Sequence, residues 1–398
     1  MDRLRVLLVS WEYPPVMYGG LGRHVHALSH ALSLQGHDVV VLTQGPAGTP
    51  AQEPAVAGRP RVQRALLEPG GPDVYADTAA FVDRLQGALV AAAEPLLAHW
   101  QPDVVHGHDW VVTGAATSLV AAGNGPLVAT VHATESGLYQ GHLDTPFSQR
   151  RHAIEQRLVA QAARTIVCSS AMHDEVVRAL GADPVRTVVV PNGVDVQAWQ
   201  TTPADREHAR RALGLTPDEP LLVLVGRLEW EKGAQDAIAA LALLAEKGVV
   251  AHLALIGNGG RREDLANQAV HRGVASLVHP LGRMEDAYVA HIVSAADIAL
   301  VPSRYEPFGI VALEAMAAGT PVVVTNTGGL PDLVEDSVSG MVVPPAAPAD
   351  LASAIGYLLS DKPGREALAA AARERVRTRF TWERVAAATV EVYRDADD

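Results

Sequence analysis

Short runs of β-branched and aliphatic residues alternate along most of the chain with longer stretches whose apolar positions recur at helical spacing. That alternation predicts an α/β fold built on parallel sheets. In the first half, strand patterns occupy residues 5–10, 38–43, 103–106, 127–131, 165–168 and 187–190, and helical patterns at 22–34, 79–99 and 148–162 separate most of them. The second half repeats the arrangement, with strands at 221–226, 251–256, 297–301, 321–325 and 340–343 and helices at 231–246, 261–272 and 309–318. Residues 44–60 are rich in Pro and Gly and read as a surface loop. The polar stretch 199–220, with three prolines, marks a domain boundary, and residues 373–394 read as one helix containing Trp382. Two Rossmann-like domains are expected, over 1–200 and 201–378, with residues 379–398 crossing back to the first.

Domains of this type bind ligands beyond the carboxyl ends of their strands, and the chemistry-bearing residues follow strands here. After the strand at 297–301, Glu306 and Glu314 stand with seven residues between them around the start of a helix at Gly309. Such a junction aims backbone N–H groups and a positive dipole end at a phosphate, and two acids beside it suit sugar or ribose hydroxyls. Gly226-Arg227-Leu228-Glu229-Trp230-Glu231-Lys232-Gly233 follows another strand and supplies two cations. Cations beside a helix N-terminus neutralise a leaving diphosphate without a metal; the competing reading is a solvated charge cluster.

In the first half, Glu12 precedes the turn Gly19-Gly20-Leu21-Gly22, which lacks the third glycine of a dinucleotide fingerprint. His132 ends the strand pattern at 127–131, and His106-Gly107-His108-Asp109-Trp110 ends another, with Asp109 a candidate hydroxyl acceptor. With His24 and His26 these histidines raise the question of metal binding, but no zinc-type spacing is present. Pro191-Asn192-Gly193-Val194-Asp195 reads as a turn or a motif closing the first domain. Asn258, in Gly257-Asn258-Gly259-Gly260, and Arg283-Met284 after Gly282 are candidate contacts for a nucleotide base. The Asp-x-Asp pattern of metal-dependent sugar transfer occurs at Asp395-Ala396-Asp397 alone, in the tail, so no metal is expected.

Composition narrows the classes. The 398 residues carry a formal charge of −13, which disfavours a nucleic-acid surface. One cysteine, Cys168, excludes an intramolecular disulfide framework and fits a reducing compartment. The first ten residues are too short and wrongly flanked for a signal peptide, and no apolar run reaches the roughly 20 residues of a membrane span. A cytoplasmic enzyme is expected; oligomeric state is left open.

The ordered set Gly19-Gly20-Leu21-Gly22, His132, Pro191-Asn192-Gly193-Val194-Asp195, Gly226-Arg227 with Glu231-Lys232-Gly233, and Glu306 with Glu314 resembles the retaining family 4 glycosyltransferases. Val9-Ser10-Trp11-Glu12-Tyr13-Pro14-Pro15, Gly107-His108-Asp109-Trp110 and His132-Ala133-Thr134-Glu135 look most similar to the actinobacterial glycogen-synthase-like α-1,4-glucosyltransferases. The resemblance implies a GT-B fold, two facing Rossmann-like domains with the active site in the cleft between them: an acceptor domain, then a nucleotide-sugar donor domain. It implies transfer of glucose from ADP- or UDP-glucose to a sugar hydroxyl, extending an α-1,4-glucan or related oligosaccharide. By the same resemblance Arg227, Lys232 and the backbone at Gly20 and Gly309 bind the diphosphate, Glu314 holds the ribose, Glu306 contacts the donor sugar and His132 sits beside its reacting face. Further donor contacts fall at Gly19, Asn258, Arg283, Met284, Phe308 and Ile310, and acceptor contacts at Asp109 and Glu135. No cofactor is implied; the partners are the nucleotide-diphosphate sugar and a carbohydrate acceptor. Bacterial glycogen synthases place a lysine two residues before the paired glycines, where this chain has Met17. Other small acceptors, a nucleotide-sugar epimerase and a two-lobed sugar-binding protein are the competing readings.

Overall fold

The computed structural model describes residues 3–67 and 77–396. It divides into two compact units, Met1–Asn192 with Trp382–Asp398, and Gly193–Thr381. The division falls at 192/193 and 381/382, against the expected 200/201 and 378/379. Within the described residues, the first unit holds strands β1 (Arg5–Val9), β2 (Asp38–Pro46), β3 (Gln52–Glu53), β4 (Arg61–Leu67), β5 (Val104–His108), β6 (Leu127–Val131), β7 (Arg164–Val167) and β8 (Thr187–Val189), in the order β3-β4-β2-β1-β5-β6-β7-β8. All pairs are parallel except β3 with β4.

Strand β1 shows why the apolar runs are unbroken. Val6 and Leu8 join the core under the helices Gly20–Leu34 and Trp382–Asp395, while Leu7 and Val9 point into the core under the helix Thr78–Leu97. A central parallel strand is covered on both faces, so polar alternation is lost. Each such side chain contributes roughly 1.5–3 kcal/mol by leaving water.

The second unit has strands β9 (Leu221–Val225), β10 (His252–Ile256), β11 (Val278–Gly282), β12 (Ile298–Val301), β13 (Val322–Thr325) and β14 (Met341–Val343), all parallel, in the order β11-β10-β9-β12-β13-β14. Both sheets reverse direction of winding once: between β1 and β5 in the first, between β9 and β12 in the second. Ligands of doubly wound folds bind at that reversal.

Several elements differ from the sequence reading. The expected loop at 44–60 contains the end of β2 and all of β3, and β4 was not foreseen. Its pattern is interrupted by Arg64, which is buried with its guanidinium on Glu53 at 2.6 Å and on the carbonyls of Pro14 and Pro50 at 3.0 and 3.1 Å. β11 is an edge strand carrying Pro280, with a register shift against Leu255 and Ile256, and edges tolerate both. The single helix expected over 373–394 is two, Lys362–Arg379 and Trp382–Asp395, separated at Phe380 and Thr381. The first belongs to the second unit and the other to the first unit, so the break is also the crossing point of the chain. Asp397 of the tail Asp-x-Asp lies outside the described residues.

Candidate active site

In the second unit the chain leaving β9 forms a turn at Trp230–Lys232 before the helix Ala234–Glu246, so Lys232 is not on the expected helix but just ahead of it. Gly233 joins the two with φ 73, and a Cβ there would strike the carbonyl of Pro302. This glycine lets the loops after β9 and β12 touch at the winding reversal. Lys232 Nζ donates to Glu306 Oε2 at 2.8 Å, and Ser303 Oγ donates to the same oxygen at 3.0 Å. Both members of the ion pair are largely buried, with side chains 22% and 13% exposed. Arg304 reinforces the contact: its N–H donates to Glu231 O at 2.7 Å, its guanidinium chelates Asp236 at 2.8 and 2.9 Å, and it lies 4.6 Å above the Trp230 ring. Gly329 N–H reaches Glu306 O at 3.0 Å, and Gly328 approaches that backbone too closely for any Cβ.

Gly233→Ala is expected to lower kcat by about tenfold or more and to destabilise the protein by at least the roughly 1–2 kcal/mol of a left-handed alanine. Steady-state kinetics and thermal unfolding check this; wild-type values in both would show that the loops do not depend on this contact.

Around this pair, the helix Ile310–Ala318 begins at Gly309, with φ 108 and, among the described residues, no side-chain cap and no acid in its first turn. Its first amides are thus suited to an anion. Glu314 is buried within that helix, Phe308 is buried just before it and Ile310 is half-buried at its first position. Arg227 is exposed and paired with Glu231 at 2.6 Å. Asn258, exposed after β10, accepts Leu228 N–H at its carbonyl (2.9 Å), and Gly257 N–H reaches Gly282 O at 2.8 Å, which sets Arg283 and Met284 beside the same loops.

The first unit gathers its candidates at the ends of β1, β5 and β6. Glu12, singled out only as the start of the glycine loop, is buried and accepts the N–H groups of Tyr18 and Gly19 at 2.9 and 3.0 Å. The Gly19 amide is therefore committed to Glu12, and Gly20 opens the helix Gly20–Leu34. Asp109 adopts φ 61, ψ 174, a region held almost entirely by glycine. Its carboxylate accepts His132 N–H at 2.7 Å, fixing the backbone that carries the histidine. Glu135 is buried against Arg151 at 2.7 Å, beside Glu155. His132 Nε2 lies 3.2 Å from His108 Nδ1, and His24 packs on both rings at 4.7 and 5.4 Å. No local spacing announces this cluster.

Burial drives these imidazoles toward the neutral form: His24 falls to about 3, His132 to about 4, and His106 and His108 well below the ordinary value. Burial pushes the carboxyls of Asp109 and Glu155 the other way, up to about 7. The histidines cost stability as pH falls below about 6.5, because only the unfolded chain takes up their protons. The two carboxyls cost stability as pH rises toward 7, because only the folded chain keeps theirs. Four imidazoles outweigh two carboxyls. The urea midpoint is therefore expected to drop between about pH 6.5 and 5; a midpoint that rises on acidification would overturn the burial of neutral imidazoles.

Comparison with known proteins decides the family. Residues 18–198 match the model of Glycosyltransferase Family 4, and residues 205–375 match that of Glycosyl transferases group 1. The chain is 40% identical to a glycogen synthase of Mycobacterium tuberculosis over 98% of its own length and 94% of that protein. It is a family 4 glycosyltransferase. This glycosyltransferase is also 37% identical, over 95% of its length and 92% of the relative, to a D-inositol 3-phosphate glycosyltransferase of Xylanimonas cellulosilytica. Its fold is GT-B, similar to the solved sucrose-phosphate synthase of Thermosynechococcus elongatus at a TM-score of 0.80, with 27% identity and 98% of each chain covered. Among the described residues of the glycosyltransferase, no helix is long and apolar enough to cross a membrane.

Proposed function

We propose that this glycosyltransferase moves glucose from ADP- or UDP-glucose to a sugar hydroxyl with retention of anomeric configuration, extending an α-1,4-glucan or related oligosaccharide. The observation that carries the chemistry is the Lys232–Glu306 pair at 2.8 Å, at the winding reversal of the second sheet. The glucan reading is supported by the 40% identity to a glycogen synthase. Lys232 and Arg227 would meet the departing diphosphate, and the uncapped amides after Gly309 would add a positive dipole end. Two side-chain cations then do the work for which other sugar transferases use a divalent ion. Glu314 would hold the ribose, and Asn258, Arg283, Met284, Phe308 and Ile310 would surround the nucleotide. His132, steadied by Asp109, would lie beside the reacting face of the sugar. Glu135, already paired with Arg151, would shape the acceptor region rather than bind the acceptor directly. A reducing, cytoplasmic setting fits the single buried thiol of Cys168.

Glu306 Oε2 accepts from both Lys232 and Ser303. A carboxylate so engaged is a poor nucleophile, which favours front-face attack: the acceptor oxygen bonds the anomeric carbon as the glycosyl–phosphate bond breaks, and the leaving diphosphate takes the hydroxyl proton. Glu306 then stabilises positive charge on the sugar while positioning Lys232.

Thermal shift and turnover with ADP-, UDP- and GDP-glucose against maltooligosaccharides test this reading. A stabilising donor that also supports elongation of the oligosaccharide is expected. Turnover confined to an inositol phosphate acceptor would replace the glucan reading.

A further inference from the structure

His24, His108 and His132 come from three separate places in the chain, and each offers a ring nitrogen within 4.8 Å of the other two. The Nε2 atom of His24 is buried and makes no hydrogen bond. His24 Nδ1 lies 2.6 Å from Asn192 Oδ1, an atom that can only accept. Its proton is therefore on Nδ1, which leaves a lone pair on the unpartnered Nε2. An outer hydrogen bond of this kind is how metal-bound imidazoles are oriented.

We propose that His24, His108 and His132 form a binding site for a divalent transition-metal ion of the zinc class. Two imidazoles on a tetrahedral zinc ion, each bonded at about 2.0–2.1 Å, have nitrogens about 3.3 Å apart. The His108 Nδ1 to His132 Nε2 separation is 3.2 Å, so that pair already has the required span. The proton now shared between them moves to the other nitrogen of its own ring, and three neutral imidazoles bind the ion with no net proton release. His24 closes the remaining gap by a shift of its ring. Imidazole donors without a carboxylate select zinc, copper, nickel or cobalt over magnesium and calcium. His132 is the half-buried member and gives the ion its way in, leaving a fourth position for water. Resting on the placement of His132 beside the donor sugar, an ion here would inhibit transfer: it fixes the imidazole and puts a cation where positive charge develops.

Cobalt(II) and zinc titrations of the intact protein near neutral pH test the site. One ion per chain is expected, with the visible absorption of tetrahedral cobalt and its displacement by zinc. His24→Gln should weaken binding by at least about tenfold, as should His108→Gln, while His30→Ala, in the nearby His26–His30 pair, should change nothing. Circular dichroism and unfolding of the metal-free variants separate lost ligation from lost fold. Equal binding by wild type and both glutamine variants, or loss of binding through His30→Ala, would overturn the site. Zinc should also lower kcat, reversibly on chelation, and less so in His24→Gln. Stoichiometric binding with unchanged turnover would leave the site standing and remove His132 from the reacting face.

Discussion

Lys232→Ala is expected to lower kcat by about a hundred- to a thousandfold, the usual cost of removing one charge-stabilising donor at a leaving group. The effect should fall on kcat more than on the KM for the nucleotide sugar, because charge on the bridging oxygen develops only as the bond breaks. Stability should change little. Glu306 loses its cation but keeps Ser303 Oγ at 3.0 Å, and the pair is not wholly shielded from water, so the loss should stay below the roughly 3–5 kcal/mol of breaking a fully buried pair. Lys232→Arg tests geometry against charge: a planar guanidinium in place of a compact ammonium should restore charge without restoring full rate. Kinetics and calorimetry on the same preparations check both parts. Near-normal turnover in Lys232→Ala would remove the residue from leaving-group stabilisation.

Glu306→Gln is expected to lower kcat by about a hundredfold or more while the protein stays folded, since glutamine keeps the shape and can still accept from Ser303. The lost charge acts twice. On the proposed reading the developing positive sugar loses a stabilising carboxylate, and Lys232 loses the partner that holds it 2.8 Å away. The two substitutions should therefore be non-additive in a double-mutant cycle, because the residues act as a unit. The same variant separates the two retaining mechanisms. With front-face attack, azide does not restore activity to the variant, and intact-mass analysis of the unsubstituted enzyme with donor finds no glycosylated protein. Azide rescue giving an inverted glycosyl azide would make Glu306 the nucleophile.

The legibility of this site in the sequence has a physical boundary. Glu306, Gly309 and Glu314 stood out because a buried strand, a glycine turn and an alanine-rich helix are local patterns. Arg227 and Lys232 stood out for the same reason. Their meeting was hidden: Lys232 and Glu306 are 74 positions apart, and what joins them is a glycine whose close approach to Pro302 leaves no periodic trace. The role of Glu12 was hidden likewise, since a carboxylate that accepts two amides of its own loop looks in sequence like any acid before a turn. The three-histidine cluster illustrates the limit most clearly. Metal spacing is read along one element, whereas His24 lies on a helix, His108 at the end of one strand and His132 just after another. Strand β4 failed for a converse reason: Arg64 breaks the apolar pattern, and only Glu53 and two carbonyls elsewhere make its burial affordable.

The central claim is acceptor-dependent glucosyl transfer with retention. Proton NMR of the enzyme with ADP- or UDP-glucose and a maltooligosaccharide measures it directly. The expected result is nucleoside diphosphate released in step with a new α-linked glucosyl residue, and no release when the acceptor is omitted. A β-linked product, or equal release without acceptor, would contradict it.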